Sequence, residues 1–170
     1  MKKILIAAAV LATAPAFAQP IVTIQSNPTG PEASAPRPAR MRGIPTALAI
    51  EAATLSNSTC LTNGTKVTTI VTDSVGEPIV IISGDGAATI TQRIAMGKAQ
   101  WTIHTKGPSA AGATAMPAMV ATLGPARPGA VPIMAGSDLV GAIAASGSPT
   151  GQADEVCVKA GLAKIQDRVK

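Results

Sequence analysis

The chain predicts a single α+β domain with the element order α-β-β-α-(α)-β-β-α. Three observations predict it. Short β-branched runs alternate with longer stretches of helical spacing. The two pairs of strand-like runs are each joined by a tight turn, as antiparallel hairpins are. The core has to be built from Ala, Gly, Val and Ile, because the 170 residues include one Trp, one Phe and no Tyr. Small side chains fill a core only where elements approach closely, which favours helices packed directly on a sheet.

Residues 1–18 read as a signal peptide. Lys2 and Lys3 form a positive start, Ile4–Leu11 an apolar centre, and Ala16-Phe17-Ala18 the small-x-small pattern that precedes cleavage. A retained anchor is the alternative, but the apolar run is short of the ~20 residues a spanning helix needs. Cleavage before Gln19 leaves 152 of the 170 residues and lowers the net charge from +5 to +3. The expected location is periplasmic or secreted. So small a charge, with Trp101 the one aromatic residue left, argues against a nucleic-acid partner.

Residues 19–43 carry five prolines without periodicity and read as a Pro-rich extended arm, with Ile21–Ile24 a candidate edge strand. The domain proper is residues 44–170. Pro45 and Thr46 open the first helix, Thr46 being able to accept from an orphan N–H. Its apolar face is expected along Leu48, Ala52, Leu55 and Thr59. Asn63-Gly64 supplies the exit. Every residue of Val67–Thr72 is Val, Thr or Ile, a strand. Asp73–Gly76 turns the chain into a second strand, Glu77–Ser83. Gly84-Asp85-Gly86-Ala87 ends the hairpin.

A helix follows from about Thr89 to Thr102, with Ile90, Ile94, Gly97 and Trp101 on one side. Lys106–Ala113 is loop, Met116–Leu123 a short helix that Pro117 would start, and Gly124–Pro132 loop again. The last unit, Pro132–Ile165, holds two strands around Gly136-Ser137-Asp138, a turn at Ser146–Gly151 and a closing helix. That helix carries Val158, Leu162, Ile165 and Val169 on one face and Val156, Ala160 and Ala163 on the other, which implies burial against the sheet and against a second surface. Asp154 and Glu155 at its start, and Lys164, Arg168 and Lys170 at its end, complement its dipole.

Cys60 and Cys157 are the two cysteines. In an exported chain an even pair is expected to be bridged; two small buried apolar residues are the alternative. A bridge would close a loop of about 96 residues, worth on the order of 4–5 kcal/mol by chain entropy.

Three stretches, CLTNGTKVTTIVTDSVG from Cys60, GDGAATITQRIAMGK from Gly84, and the run from Pro128 to Ile165, are together similar to the GlcG/HbpS-like haem-binding family. The resemblance spans about Pro45–Ile165. It implies an antiparallel sheet of about five strands with helices packed on it, assembly into dimers or larger oligomers, and haem as ligand, with haem degradation in some members. It also implies a bridge between Cys60 and Cys157. The chain departs from the family pattern at Ala130, where a second Gly is usual, at Trp101, where a small residue is usual, and at Ala88–Ile90, which lacks a His often found there.

The candidate ligand-binding residues are Asp85, Lys98 and His104. Asp85 sits between two glycines at a strand exit, where it either binds a ligand or fixes the turn and caps the helix. Lys98 either pairs with a propionate or forms a solvated or intersubunit ion pair. His104, the one histidine, either ligates iron or sits at a helix end. Met96, Met116, Met119 and Met134 offer thioethers or core filling. Gly147–Gly151 offers backbone N–H groups to an anion or is a plain connector. No catalytic constellation, metal triad or nucleotide fingerprint is present. The function expected is therefore an exported, non-catalytic haem- or small-ligand-binding protein with haem as its one candidate cofactor. The alternative is an accessory subunit of a periplasmic oxidoreductase complex. The partner is a second copy of the chain or a larger periplasmic protein.

Overall fold

The computed structural model describes residues 42–170. The expected signal peptide, nearly all of the expected Pro-rich arm and the candidate strand Ile21–Ile24 lie outside the described residues. Helix α1 spans Thr46–Thr62, strands β1 and β2 span Thr68–Thr72 and Pro78–Ser83, and helix α2 spans Ile90–Thr105. Single helical turns follow, among them α3 (Gly112–Ala115) and α4 (Val120–Leu123). Strands β3 (Ala130–Ala135) and β4 (Asp138–Ser146) and helix α5 (Gly151–Ile165) complete the order.

The α+β architecture is the expected one, with a sheet of four strands rather than about five. All pairs are antiparallel and the order is β2-β1-β4-β3. Each β-branched or apolar run between turns makes one strand, and no fifth such run exists among the described residues. β3 begins at Ala130, inside the stretch expected to be loop. Its pairing with β4, Ala130 to Ala144 and Val131 to Ile143, recruits the two residues before Pro132. The β1–β2 turn is held by the Asp73 carboxylate, which accepts from the N–H groups of Val75 and Glu77.

Helices α1 and α5 share one face of the sheet, over Val71, Val131 and Ile143. They cross so closely that a Cβ on Gly161 would lie 2.3 Å from the Ala52 carbonyl oxygen. Only small residues tolerate that approach. The buried face of α1 is accordingly Ala49, Ala52, Ala53, Ser56 and Cys60, not the Leu48–Thr59 stripe; Leu48 and Leu55 are half-buried at its flank. The Cys60–Cys157 disulfide joins the two helices, with the Cα atoms 5.5 Å apart. Thr46 makes no side-chain cap, and Pro45 occupies the capping position. At the other end Gly64, at φ 77°, closes the helix: its N–H donates to Leu61 O and that of Thr65 to Cys60 O.

Helix α2 covers the opposite face through a thin layer of small residues, Ala95 and Ala99 over Ile70, Ala142 and Ala144. Its buried side therefore differs from the Ile90–Ile94–Gly97–Trp101 stripe: Ile90 is exposed, and Lys98 and Thr91 are buried. Thr91 bonds Thr68 on β1, hydroxyl to hydroxyl, at 2.8 Å. On α5, Val158 and Ile165 are buried as expected, whereas Val156 and Ala163 face outward from this subunit. No helix among the described residues is long and apolar enough to cross a membrane.

Candidate ligand-binding cleft

The outer side of α2 and the segment after α4 enclose a cleft of about 950 Å³, at the upper end of the ~300–1,000 Å³ usual for small-molecule sites. Arg93, Ile94, Met96 and Gly97 form the helical wall. Leu123, Pro125 and Arg127 form the other. The spacing of Arg93 and Gly97, one helical turn, puts them on one stripe of α2. At Gly97 a Cβ would lie 3.6 Å from Leu123 O, so the glycine leaves room between the walls rather than relieving a clash.

The far wall is the single turn of α4 and the irregular segment after it, so side chains must place it. Trp101 is fully buried and donates its indole N–H to Gly124 O at 3.1 Å. Gly112 lies flat on the indole; a Cβ there would come within 2.2 Å of the ring. Ser109 is also fully buried. Its hydroxyl donates to Arg127 O at 2.7 Å and accepts from the Ala130 N–H at 3.1 Å. These contacts hold both ends of the Gly124–Ala130 segment beside α2. The one aromatic residue of the domain thus anchors the cleft.

Lys98 also belongs to the cleft wall, but its ammonium is turned inward. It donates to Asp154 Oδ2 at 2.7 Å and to Ala145 O at 2.9 Å, with side-chain exposures of 5% and 3% for the pair. The second Asp154 oxygen accepts from the Ser148 N–H at 2.9 Å. Gly129 lies over the pair at φ 121°, where a Cβ would fall 2.5 Å from the ammonium nitrogen. The pair therefore locks α2, the end of β4 and the start of α5 together. Lys98 is neither solvated nor intersubunit but bonded within the subunit.

Asp85 is exposed in the turn before α2, away from the cleft, and its carboxylate bonds no described residue. It does not cap the helix, whose first turn has no side-chain cap. The turn is closed instead by backbone, Ala87 N–H to Gly84 O at 2.9 Å. His104 is exposed in the last turn of α2 and is not a lining residue. Asp85, Lys98 and His104 are not brought together into one site. Of the four candidate methionines only Met96 lines the cleft. Gly147–Gly151 serves as a connector: Asp154 takes the Ser148 N–H and Thr150 caps α5 through the Ala153 N–H at 3.2 Å. No group of His, Cys, Asp and Glu suited to a metal ion occurs among the described residues.

Sequence reasoning missed Arg93 and Arg127. Both are exposed at the cleft, and neither guanidinium meets a carboxylate among the described residues. The cleft has no acidic lining residue, so its charge is positive. The signal available was the Arg93–Gly97 spacing of one helical turn on α2. Chemically, the arrangement suits a flat apolar body that ends in carboxylates.

The family model for "Haem degrading protein HbpS-like" matches residues 44–163. A crystal structure of Streptomyces reticuli HbpS, a double mutant, is 25% identical, covers 78% of this chain and 97% of its own, and superposes with a TM-score of 0.68. Klebsiella pneumoniae protein ORFY is 19% identical over 76% of this chain and 94% of its own, with a TM-score of 0.66. A PduOC:haem complex is 15% identical over 71% of this chain and 94% of its own, with a TM-score of 0.63. These last two show the fold alone. No curated protein matches the chain.

Proposed function

The chain belongs to the HbpS-like family of haem-degrading proteins, and on that premise we propose that it is an exported haem-binding protein that holds haem without breaking it. The observation that carries the reading is the family match across residues 44–163. The cleft supports it independently. Ile94, Met96, Leu123 and Pro125 offer an apolar slot for a flat ring, and Arg93 and Arg127 offer charge-assisted hydrogen bonds to two propionates. The fold is also one that holds haem in PduOC, according to that complex.

Haem, when bound, supplies an iron centre with redox and ligand-exchange chemistry. The residues of this chain bind and orient it. Arg93 and Arg127 would fix the acidic edge, and the Trp101–Gly124 bond would set the gap between the walls. Export is supported by the Lys2-Lys3 start, the apolar run and Ala16-Phe17-Ala18, and by a disulfide, which persists best in an oxidising compartment. Self-association is the partner reading that accompanies the family; nothing favours an accessory role in an oxidoreductase complex.

Haem titration of the full mature chain tests the reading. A saturable Soret band at one haem per chain is expected, weakened by Arg93→Glu and Arg127→Glu and, although shifted by reduction of the iron, not bleached by incubation with a reductant, oxygen and catalase. No saturable binding would refute it, and bleaching of the band under those conditions would replace storage with degradation.

A further inference from the structure

The cleft fits the ring and the carboxylates of haem but not its iron, and from that mismatch we propose that the site recognises tetrapyrrole dicarboxylates whether or not they carry a metal. The proposal rests on the haem-binding reading above and narrows it to the part of the ligand that is recognised.

Iron in haem proteins is held by His, Cys thiolate, Tyr or Met. This chain has no Tyr. Its two cysteines are consumed by the disulfide, with both side chains buried against α1 and α5 on the other face of the sheet. Its one histidine, His104, is one helical turn beyond Gln100, the last lining residue of α2, about 6 Å along the helix axis, and is not itself a lining residue. The Lys98 ammonium is committed to Asp154 and Ala145 O. Met96 remains, a neutral thioether on a half-buried side chain that packs against the alanine layer under α2. A lone thioether is a weak hold on ferric iron beside two guanidinium–carboxylate contacts, each worth about 1.5–3 kcal/mol. Affinity therefore resides in the apolar slot and the two arginines. A metal-free porphyrin, or an open-chain tetrapyrrole with the same two propionates, presents the same features.

The test uses the full mature chain and its single tryptophan. Trp101 is bonded to Gly124, a lining residue, so either ligand in the cleft quenches its fluorescence. Titration with haem and with metal-free protoporphyrin IX should give dissociation constants within tenfold of each other. Arg93→Glu and Arg127→Glu should weaken both ligands alike, by about ten- to a hundredfold each. Met96→Leu should change the affinities for haem and for protoporphyrin by the same factor, and His104→Ala should change haem affinity less than threefold. Haem binding more than tenfold tighter than protoporphyrin, or a threefold or greater loss of haem affinity in either variant that protoporphyrin does not share, overturns the proposal while leaving the haem-binding reading intact. Binding of neither ligand refutes the haem-binding reading itself, and the proposal with it.

Discussion

The two faces of the sheet are built by different means. On the α1/α5 face the helices touch through glycine and alanine, a disulfide crosses between them, and Val71, Ile143, Val158 and Ile165 fill the space beneath. On the α2 face a thin alanine layer does the packing, and polar anchors do the rest: Thr91 to Thr68, Lys98 to Asp154, Trp101 to Gly124, and Ser109 to both ends of its loop. The first face is a closed core. The second is held at points, which leaves room for a cleft between them. A site can be opened in a small-residue protein where directional bonds, rather than area, hold the walls.

The comparison is broken most severely at Lys98. Lys98→Ala leaves the Asp154 carboxylate buried without its cation and should cost about 3–5 kcal/mol, read as a loss of denaturation midpoint. Cys60→Ala with Cys157→Ala acts on the other face. It should cost about 2–5 kcal/mol in unfolding while the affinity of the cleft stays within twofold, as measured by parallel melting and ligand titration. Equal loss of affinity in that double variant would mean the two faces are not independent. Trp101→Phe removes the donor and part of a fully buried ring, and should cost about 1–3 kcal/mol in unfolding, with weakened ligand affinity in a haem absorbance titration as the Gly124 wall loosens.

The smallest effect is on the α1 surface. The hydrogen bond from Arg168 holds the Glu51 carboxyl below the usual carboxylate range, the guanidinium charge adds to this, and partial desolvation opposes it. A lowered folded-state value means that the contribution is present above the unfolded pKa and is lost as pH falls through the folded one. Glu51→Gln should therefore flatten the acid limb of the stability curve slightly and leave neutral-pH ligand binding unchanged. The pair is surface-exposed, so 1 M salt should remove most of the difference.

Much of the fold was legible because its signals are local. Val67–Thr72 could only be a strand, Asn63-Gly64 ended a helix as such pairs do, and Pro117 opened a turn of helix. The Cys60–Cys157 bridge was expected from an even count and from the family resemblance. The faces of the helices were less legible. Large apolar residues drew attention to Leu48 and Leu55 on α1 and to Ile90 on α2, yet close approach selects Ala49, Ala52, Ala53, Ala95 and Ala99 for the contact. The cleft was legible least of all. Lys98 was selected for its charge, but that charge is spent on Asp154. Arg93 and Arg127, thirty-four positions apart, meet at one opening only because Trp101 and Ser109 fold the intervening chain back on α2.

The amino-acid sequence alone determined most of the secondary structure and the antiparallel pairing of the hairpins, since those depend on spacing between near neighbours, and three stretches of it carried the family resemblance. The tertiary structure decided which charges are buried and which stand free at the cleft. That choice depends on how far apart two helices or a helix and a loop settle, and a separation set by glycine and alanine contacts across the whole domain leaves no periodic trace along the chain.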